Sequence, residues 1–527
     1  PRGPGQEAQA FYTHSESKVP SQKKNSAQLR LALSAVQFVP PQHLCEVHPS
    51  LLGNSAAFSI IQPQAGCAAT TPASLHEAFS ESKTAAEHED VASFFAANQD
   101  LIAPVQQALR DLNCKSMPCN TSDTDDYWRD MTAHFVRNNP DSNKYHDLDS
   151  FYMVDMGRVV IQMAKFKKHL PTVQPHYAVK CNPSNEIIKM LSSLGCSYDC
   201  ASGAEIAAVI DGNCATPDDI VYANPCKTIP DMQRAKSYGV RYVTFDNIDE
   251  LAKLAAHMPH CKAILRIKTN DSAAVCQFST KFGARMGDVP VLLRRAQELG
   301  VQVVGCSFHV GSGNNDPNAY LNSIRDARSV FDQGIELGFE MKILDLGGGF
   351  PGSEPPIGRD GKPECLSFEE IASYIRPCLE EYFSSARVIA EPGRFFSADT
   401  HALAMNVHSM RVVPMPNPSG GEDLQEYQYY VNDGLYHSFN SIVFDHAHPM
   451  LHVLNPDTEA RIHTSTIFGP TCDSIDCLLK RQPFPELALG EWLFVPSMGS
   501  YTRAAGAPFN GFETKRTEYI CSLKLDF

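Results

Sequence analysis

The sequence predicts an α/β protein: a (β/α)8 TIM barrel followed by a mostly β C-terminal domain, with a variable N-terminal extension. Three observations carry this. Between Phe151 and Ala398, short apolar runs alternate eight times with helical patterns. Beyond Ala398 the helical period fades into apolar runs separated by Pro and Gly turns. Before residue 118 the composition changes, with Ala and Ser abundant and no Trp.

The extension, residues 1–117, is expected to be partly disordered. It carries one alternating apolar stretch, Leu29-Arg30-Leu31-Ala32-Leu33, a Pro40-Pro41-Gln42 run, and an amphipathic pattern over Val91 to Leu112 that predicts a helix. Residues 118–155 form a lead-in expected to pack with the β domain. The barrel is assigned to 156–398 and the β domain to 399–527.

Within the barrel the predicted strands are Tyr177 to Val179, Ser197 to Cys200, Ile220 to Ala223, Tyr242 to Phe245, Ala263 to Ile267, Val303 to Val310, Ile343 to Asp345 and Val388 to Ala390. Helical patterns at Glu186 to Leu194, Glu205 to Ile210, Ile248 to Ala256, Val291 to Leu299, Tyr320 to Leu337 and Phe368 to Phe383 separate them. An open doubly wound sheet uses the same alternation, but eight units are the count of a barrel. In the last domain, Val407 to Pro414, Gln428 to Val431, Ile462 to Ile467 and Glu518 to Leu523 read as strands.

Composition narrows the function. The 527 residues carry 45 Lys+Arg against 60 Asp+Glu, a net charge of −15, which disfavours nucleic acid and anionic membrane as partners. No apolar run is long enough to span a bilayer. The first residues, PRGPGQEAQA, lack a signal-peptide core. The 17 cysteines include no C-x-x-C pair, so thioredoxin-like and zinc-ribbon readings lose their spacing, and a reducing, cytoplasmic setting is expected. His446 and His448 are close together, but no third ligand accompanies them, so no metal is expected.

Barrel chemistry gathers at the C-terminal strand ends. Lys180, Asp199, Arg266, His309, Gly347-Gly348-Gly349, and Glu391 with Arg394 fall at six of the eight. Lys180 follows an apolar strand; burial lowers an amine's pKa, as a Schiff-base lysine requires, the alternative being a partner for a barrel carboxylate. The three glycines let backbone N–H groups approach an anion, and the loops after strands seven and eight commonly hold phosphate; a tight turn is the alternative. Glu391 can pair with a protonated pyridine nitrogen. His309 can lie flat on a ring or fill the core. Ser312 offers a hydroxyl to a phosphate. A thiol, with an ordinary pKa of about 8.5, can donate a proton, which makes Cys472 in FGPTCDSIDC a candidate acid. Asp445 can receive a cationic substrate tail.

Taken together, HYAVKCNP, YDCASGAE, FHVGSG, LDLGGGFPG, AEPGRFF, FDHAH and GPTCDSID resemble the eukaryotic ornithine decarboxylases, pyridoxal-phosphate-dependent enzymes with an alanine-racemase-like barrel. The resemblance runs from about Phe151 to Phe527. It implies decarboxylation of L-ornithine to putrescine and CO2, the first step of polyamine synthesis. It implies that Lys180 carries pyridoxal 5′-phosphate and that His309 stacks on its ring. Ser312, Gly349, Gly393, Arg394 and Tyr501 would hold the phosphate, Glu391 the ring nitrogen, and Asp199, Glu205 and Arg266 the pocket wall, with Pro392 also binding the cofactor. Asp445 would bind the distal ammonium beside Phe444. Cys472 and Asp473 would enter the partner subunit's site, making a homodimer obligatory, and an antizyme-like regulator becomes a possible partner.

Three positions depart from that pattern: Phe444 and Phe395 replace common tyrosines, and His176 stands where Phe is usual. Phe444 removes a hydroxyl near the substrate tail. Two rivals follow: a non-catalytic regulator resembling antizyme inhibitor, and a decarboxylase preferring lysine or arginine. Diaminopimelate is disfavoured because the acidic pair Asp445 and Asp473 would face its distal carboxylate.

Overall fold

A computed structural model describes residues 72–527, apart from 120, 122, 139–147, 354–364, 417–423, 458 and 525–527; within helix Pro72–Ala97, side chains are described from residue 85. The Leu29 to Leu33 stretch and the Pro40 run lie outside the described residues.

Eight parallel strands close into a barrel. They are β1 (Val173–Ala178), β2 (Ser197–Cys200), β3 (Ile220–Tyr222), β4 (Tyr242–Phe245), β5 (Lys262–Arg266), β6 (Gln302–Ser307), β7 (Ile343–Asp345) and β8 (Arg387–Ala390). Closure is made by β8 on β1, with Val388 opposite Val173. The runs are nearly continuously apolar because helices cover them outside and side chains fill the interior. Val221, Ile264, Ile343 and Ile389 make that inner packing.

The loops entering several helices end on a capping residue. Ser184, Ser202, Thr228 and Asn247 each accept from the backbone N–H three residues on, satisfying donors the helix leaves free. Ser367 and Glu370 form a full capping box ahead of helix Phe368–Phe383.

The barrel expectations hold with small shifts. The first strand stops at Ala178, and Val179–Cys181 forms a short 3-10 turn. The sixth stops at Ser307, leaving Phe308 to Val310 in the loop. Helices Met156–His169 and Ile229–Ser237 lie outside the helical patterns the sequence predicts. The amphipathic stretch over Val91 to Leu112 is not one helix. Asn98 breaks it: its backbone leaves the helical region (φ −136°, ψ 59°) and its side chain caps Phe94 O at 2.8 Å, so helix Pro72–Ala97 ends and Ile102–Asp111 begins after one 3-10 turn.

Beyond the barrel come β9 (His401–Met415), β10 (Leu424–Val431), β11 (Ile462–Phe468), β12 (Cys477–Pro485), β13 (Trp492–Val495) and β14 (Arg516–Cys521). They share one sheet with the lead-in strand Phe151–Asp155, which lies between β9 (antiparallel) and β14 (parallel). Asp155 ties this junction together. Wholly buried, it caps helix Met156–His169 through Gly157 N–H (2.9 Å) and accepts from Ser522 N–H (3.0 Å) and Tyr127 Oη (3.0 Å).

Candidate active site

The 3-10 turn after β1 presents Lys180 at the barrel mouth. Its Nζ lies 2.6 Å from Asp199 Oδ2 at the end of β2; the lysine side chain is 42% exposed and the carboxylate 1%. Two further segments hold this turn. Cys181 O accepts from Tyr501 N–H (3.0 Å), and Ala178 N–H donates to Pro392 O (3.3 Å). Gly393 packs so closely that a Cβ there would stand 2.8 Å from Cys181 Cβ. Only a residue without a side chain lets the β8 loop approach.

The amine does not behave as the sequence suggests. Burial alone favours the neutral form, but Asp199, then Tyr501 and Glu391, favour the ammonium and outweigh it, so the Lys180 pKa is raised. The expected lowered pKa is corrected: the chain pairs the amine with a carboxylate rather than isolating it.

Loops after β5, β6 and β8 build the opposite side. His309 Nδ1 accepts from Gly311 N–H (3.0 Å), its carbonyl accepts from Thr269 Oγ1 (2.8 Å), and Phe278 meets its ring edge-on at 4.9 Å. Burial, reinforced by Arg266 and Lys180, pushes its pKa well down and keeps the imidazole neutral. Ser312 and Cys276 exchange backbone hydrogen bonds of 3.1 and 3.2 Å. Arg394 Nη2 reaches Ser312 Oγ (3.3 Å), its guanidinium lies 5.0 Å from the Tyr501 ring centroid, and the same Nη2 contacts both Asp445 oxygens, at 2.9 and 2.7 Å. The Cys276 thiol also donates to Asp445 Oδ1 (3.5 Å). Arg266 lies over the Phe282 ring (5.3 Å). Glu205 Oε2 accepts from Ala201 N–H (2.6 Å), while burial raises its pKa. Gly349 has φ +103°, and a Cβ there would come within 2.6 Å of Gly311 O, so the triple-glycine loop is pressed against the loop of His309 and Ser312.

Glu391 follows β8 and is 7% exposed; its Oε1 has no hydrogen-bond partner. A buried bare acceptor at the same mouth as Lys180 and an Arg-, Ser- and Gly-lined rim fits a group that carries both a protonated ring nitrogen and an anionic substituent.

Thirteen of the sequence-derived residues therefore lie at or beside one mouth: Lys180, Asp199, Glu205, Arg266, His309, Ser312, Gly349, Glu391, Pro392, Gly393, Arg394, Asp445 and Tyr501. Phe444, although adjacent to Asp445, is 70% exposed. Cys472 and Asp473 form a separate cluster. Cys472 N–H donates to Asn510 Oδ1 (3.1 Å), and Tyr436 Oη hydrogen-bonds Asp473, which holds its carboxyl below the usual range. Among the described residues, no hydrogen bond joins either of them to the mouth of the same chain. Sequence reasoning missed Cys276, Phe278 and Asp345. Asp345 alone left a signal, an acidic residue ending an apolar strand directly before three glycines.

Residues 156–398 match the family model for the pyridoxal-binding domain of pyridoxal-dependent decarboxylases. The chain is 47% identical to the ornithine decarboxylase of Leishmania donovani, over 72% of this chain and 62% of that protein. It thus spans less than two thirds of that relative's length. It is 45% identical to ornithine decarboxylase of Rattus norvegicus (71% of this chain, 81% of that protein) and 45% identical to antizyme inhibitor 2 of Xenopus laevis (74% and 84%). Among solved structures, the arginine decarboxylase of Paramecium bursaria Chlorella virus superposes with a TM-score of 0.67 at 32% identity, over 74% of this chain and all of that one. No helix among the described residues is long and apolar enough to cross a membrane. With the barrel matched and whole relatives covered over four fifths of their length, the chain belongs to the pyridoxal-dependent decarboxylases, and its cofactor is pyridoxal 5′-phosphate.

Proposed function

We propose that this protein decarboxylates L-ornithine to putrescine and CO2. The observation that carries the reading is the barrel mouth itself, where the Lys180 amine, the bare oxygen of Glu391 and the Arg394–Asp445 pair converge. The several relatives named ornithine decarboxylase support the choice of substrate.

Lys180 would carry the cofactor, and its salt bridge to Asp199 fixes where Nζ points. His309, kept neutral, would lie against the ring. Ser312, Gly349, Gly393, Arg394 and Tyr501 would hold the phosphate. Glu391 would face the ring nitrogen, with Asp199, Glu205 and Arg266 lining the pocket. When bound, the cofactor supplies a protonated ring that accepts the electron pair left by departing CO2. Asp445 would receive the substrate's distal ammonium, exchanging its partner Arg394 for it. The proton returned to the α-carbon comes from Cys472 Sγ. Because Cys472 belongs to a cluster separate from the mouth of its own chain, we assign it, with Asp473, to a partner subunit's site in a homodimer. A cytoplasmic location and an antizyme-like regulatory partner complete the reading, with residues 1–117 as an extension to the catalytic chain.

Two specific observations favour other readings. Similarity to antizyme inhibitor 2 favours a regulator without chemistry; retention of Lys180, His309, Glu391, Arg394 and Cys472 weighs against it. The likeness to arginine and lysine/ornithine decarboxylases favours a longer substrate, and one methylene gives limited discrimination. The deciding experiment is CO2 release from L-ornithine, L-lysine and L-arginine by the full chain, with and without pyridoxal phosphate. Cofactor-dependent release greatest from ornithine is expected. Preference for another substrate moves the specificity. No release from any, with no visible cofactor absorbance, overturns the enzyme.

A further inference from the structure

Asp345 ends β7 immediately before the triple glycine and is 0% exposed. Glu391 follows the neighbouring β8, whose Ile389 pairs with Asp345, and Glu391 N–H donates to Gly347 O (2.7 Å). Asp199, 1% exposed, approaches from β2. Three buried carboxyls thus converge beneath the mouth. Their hydrogen bonding is incomplete: Asp345 Oδ1 accepts from Gly347 N–H (2.9 Å), but Asp345 Oδ2, Glu391 Oε1 and Asp199 Oδ1 have no partner. The nearby cations do not compensate. Lys180 is bound to Asp199, and Arg266 stacks on Phe282 without forming an ion pair among the described residues. Burying three like charges beside one paired cation is more costly than protonating one of them.

We propose that Asp345 and Glu391 share one proton in the cofactor-free protein, with Asp345 as the positioning residue that keeps it on Glu391 for delivery to the cofactor's ring nitrogen. The inference rests on the proposed placement of the cofactor. In the step, the Glu391 O–H bond breaks and an N–H bond forms; Glu391 becomes a carboxylate and the nitrogen gains one positive charge, so no proton is drawn from solvent. The carboxylate left on Glu391 then favours the pyridinium.

The surroundings agree. Burial, then Asp199 and Asp345, pushes Glu391 well above the carboxylate range, against Lys180 and Arg266. Burial, and then Asp199, raises the Asp345 carboxyl to about 6, against the Gly347 N–H bond that lowers it. From β6, Cys306 stays a neutral thiol, its pKa raised by burial and then by Asp345, and neutral His309 follows in the next loop. Both directions agree with the proposed proton on Glu391.

The test is infrared spectroscopy of the cofactor-free full chain at pH 7.5. A carbonyl band of a protonated carboxyl group is expected. It should vanish in Glu391→Gln, vanish on saturation with pyridoxal phosphate, and titrate at least about one pH unit lower in Asp345→Asn. No band in the wild-type apoprotein, or a band that survives Glu391→Gln, overturns the shared proton. These two outcomes decide even if Asp345→Asn does not fold. A band that persists with the cofactor visibly bound overturns the delivery. Failure to bind the cofactor at all overturns the delivery together with the reading of the site, and leaves the apoprotein result standing.

Discussion

Arg394 and Asp445 hold each other across the barrel mouth, Nη2 standing 2.7 and 2.9 Å from the two carboxylate oxygens. The residue proposed for the phosphate and the residue proposed for the substrate's distal cation are therefore one ion pair, 51 residues apart in sequence. Each ligand's binding alters what the other's residue is free to do.

Asp445→Asn should separate these roles. The KM for ornithine should rise at least about tenfold, because a charged hydrogen bond of roughly 1.5–3 kcal/mol is lost. The released guanidinium should leave cofactor affinity unchanged or a few-fold tighter. Steady-state kinetics with a cofactor titration checks both.

Lys180→Ala should abolish turnover and the visible absorbance of the bound cofactor. It also leaves Asp199 buried without its cation, so the apoprotein should lose about 1–3 kcal/mol in a denaturant titration. Near-normal turnover would remove Lys180 from the chemistry.

If Cys472 serves the partner's site, two dead variants should rescue each other. Equimolar Lys180→Ala and Cys472→Ala chains, allowed to exchange, should recover about a quarter of wild-type activity, since half of the dimers are hybrid and one of two sites in each is intact. Absence of recovery after demonstrated exchange would place Cys472 outside a shared site.

His176 should make the protein acid-sensitive. It is 1% exposed, and burial followed by Arg387 drives its pKa down from 6.5 to about 3. A histidine pKa depressed by folding contributes stability that is complete above the unfolded value and is lost as pH falls towards the folded one. The window is therefore pH 6.5 down to about 3. At pH 5 the loss is about 2 kcal/mol. His176→Phe should flatten melting temperature against pH between 7 and 5. An unchanged slope would assign the acid sensitivity elsewhere, with His401, also lowered to about 3 by burial and Arg503, the next group to replace.

Local patterns were legible in the sequence, and through-space pairings were not. Barrel strands such as Tyr242–Phe245 and the helix Phe368–Phe383 announce themselves by apolar period and capping residues, which are properties of neighbouring positions. The strand Phe151–Asp155 did not, because all five residues are buried and nothing alternates. Strand Cys477–Pro485 was hidden for the opposite reason: its exposed Lys480-Arg481-Gln482-Pro483 centre resembles a loop. At the site, residue types at strand ends identified Lys180, His309 and Glu391 as candidates. Whether the lysine is paired depends on Asp199 one strand away, and composition carries no trace of that distance.

The placement of the lead-in strand has a consequence for synthesis. Phe151–Asp155 leaves the ribosome before any barrel strand, yet its partners β9 and β14 are the regions from His401 and from Arg516 onward. The barrel can close while this strand still presents two open edges. Those edges are a site for mispairing between nascent chains until residue 521 has emerged. A chain shortened before Arg516 keeps every barrel strand but leaves Phe151–Asp155 unpaired on one side, and it should accumulate as aggregate rather than as an inactive soluble protein.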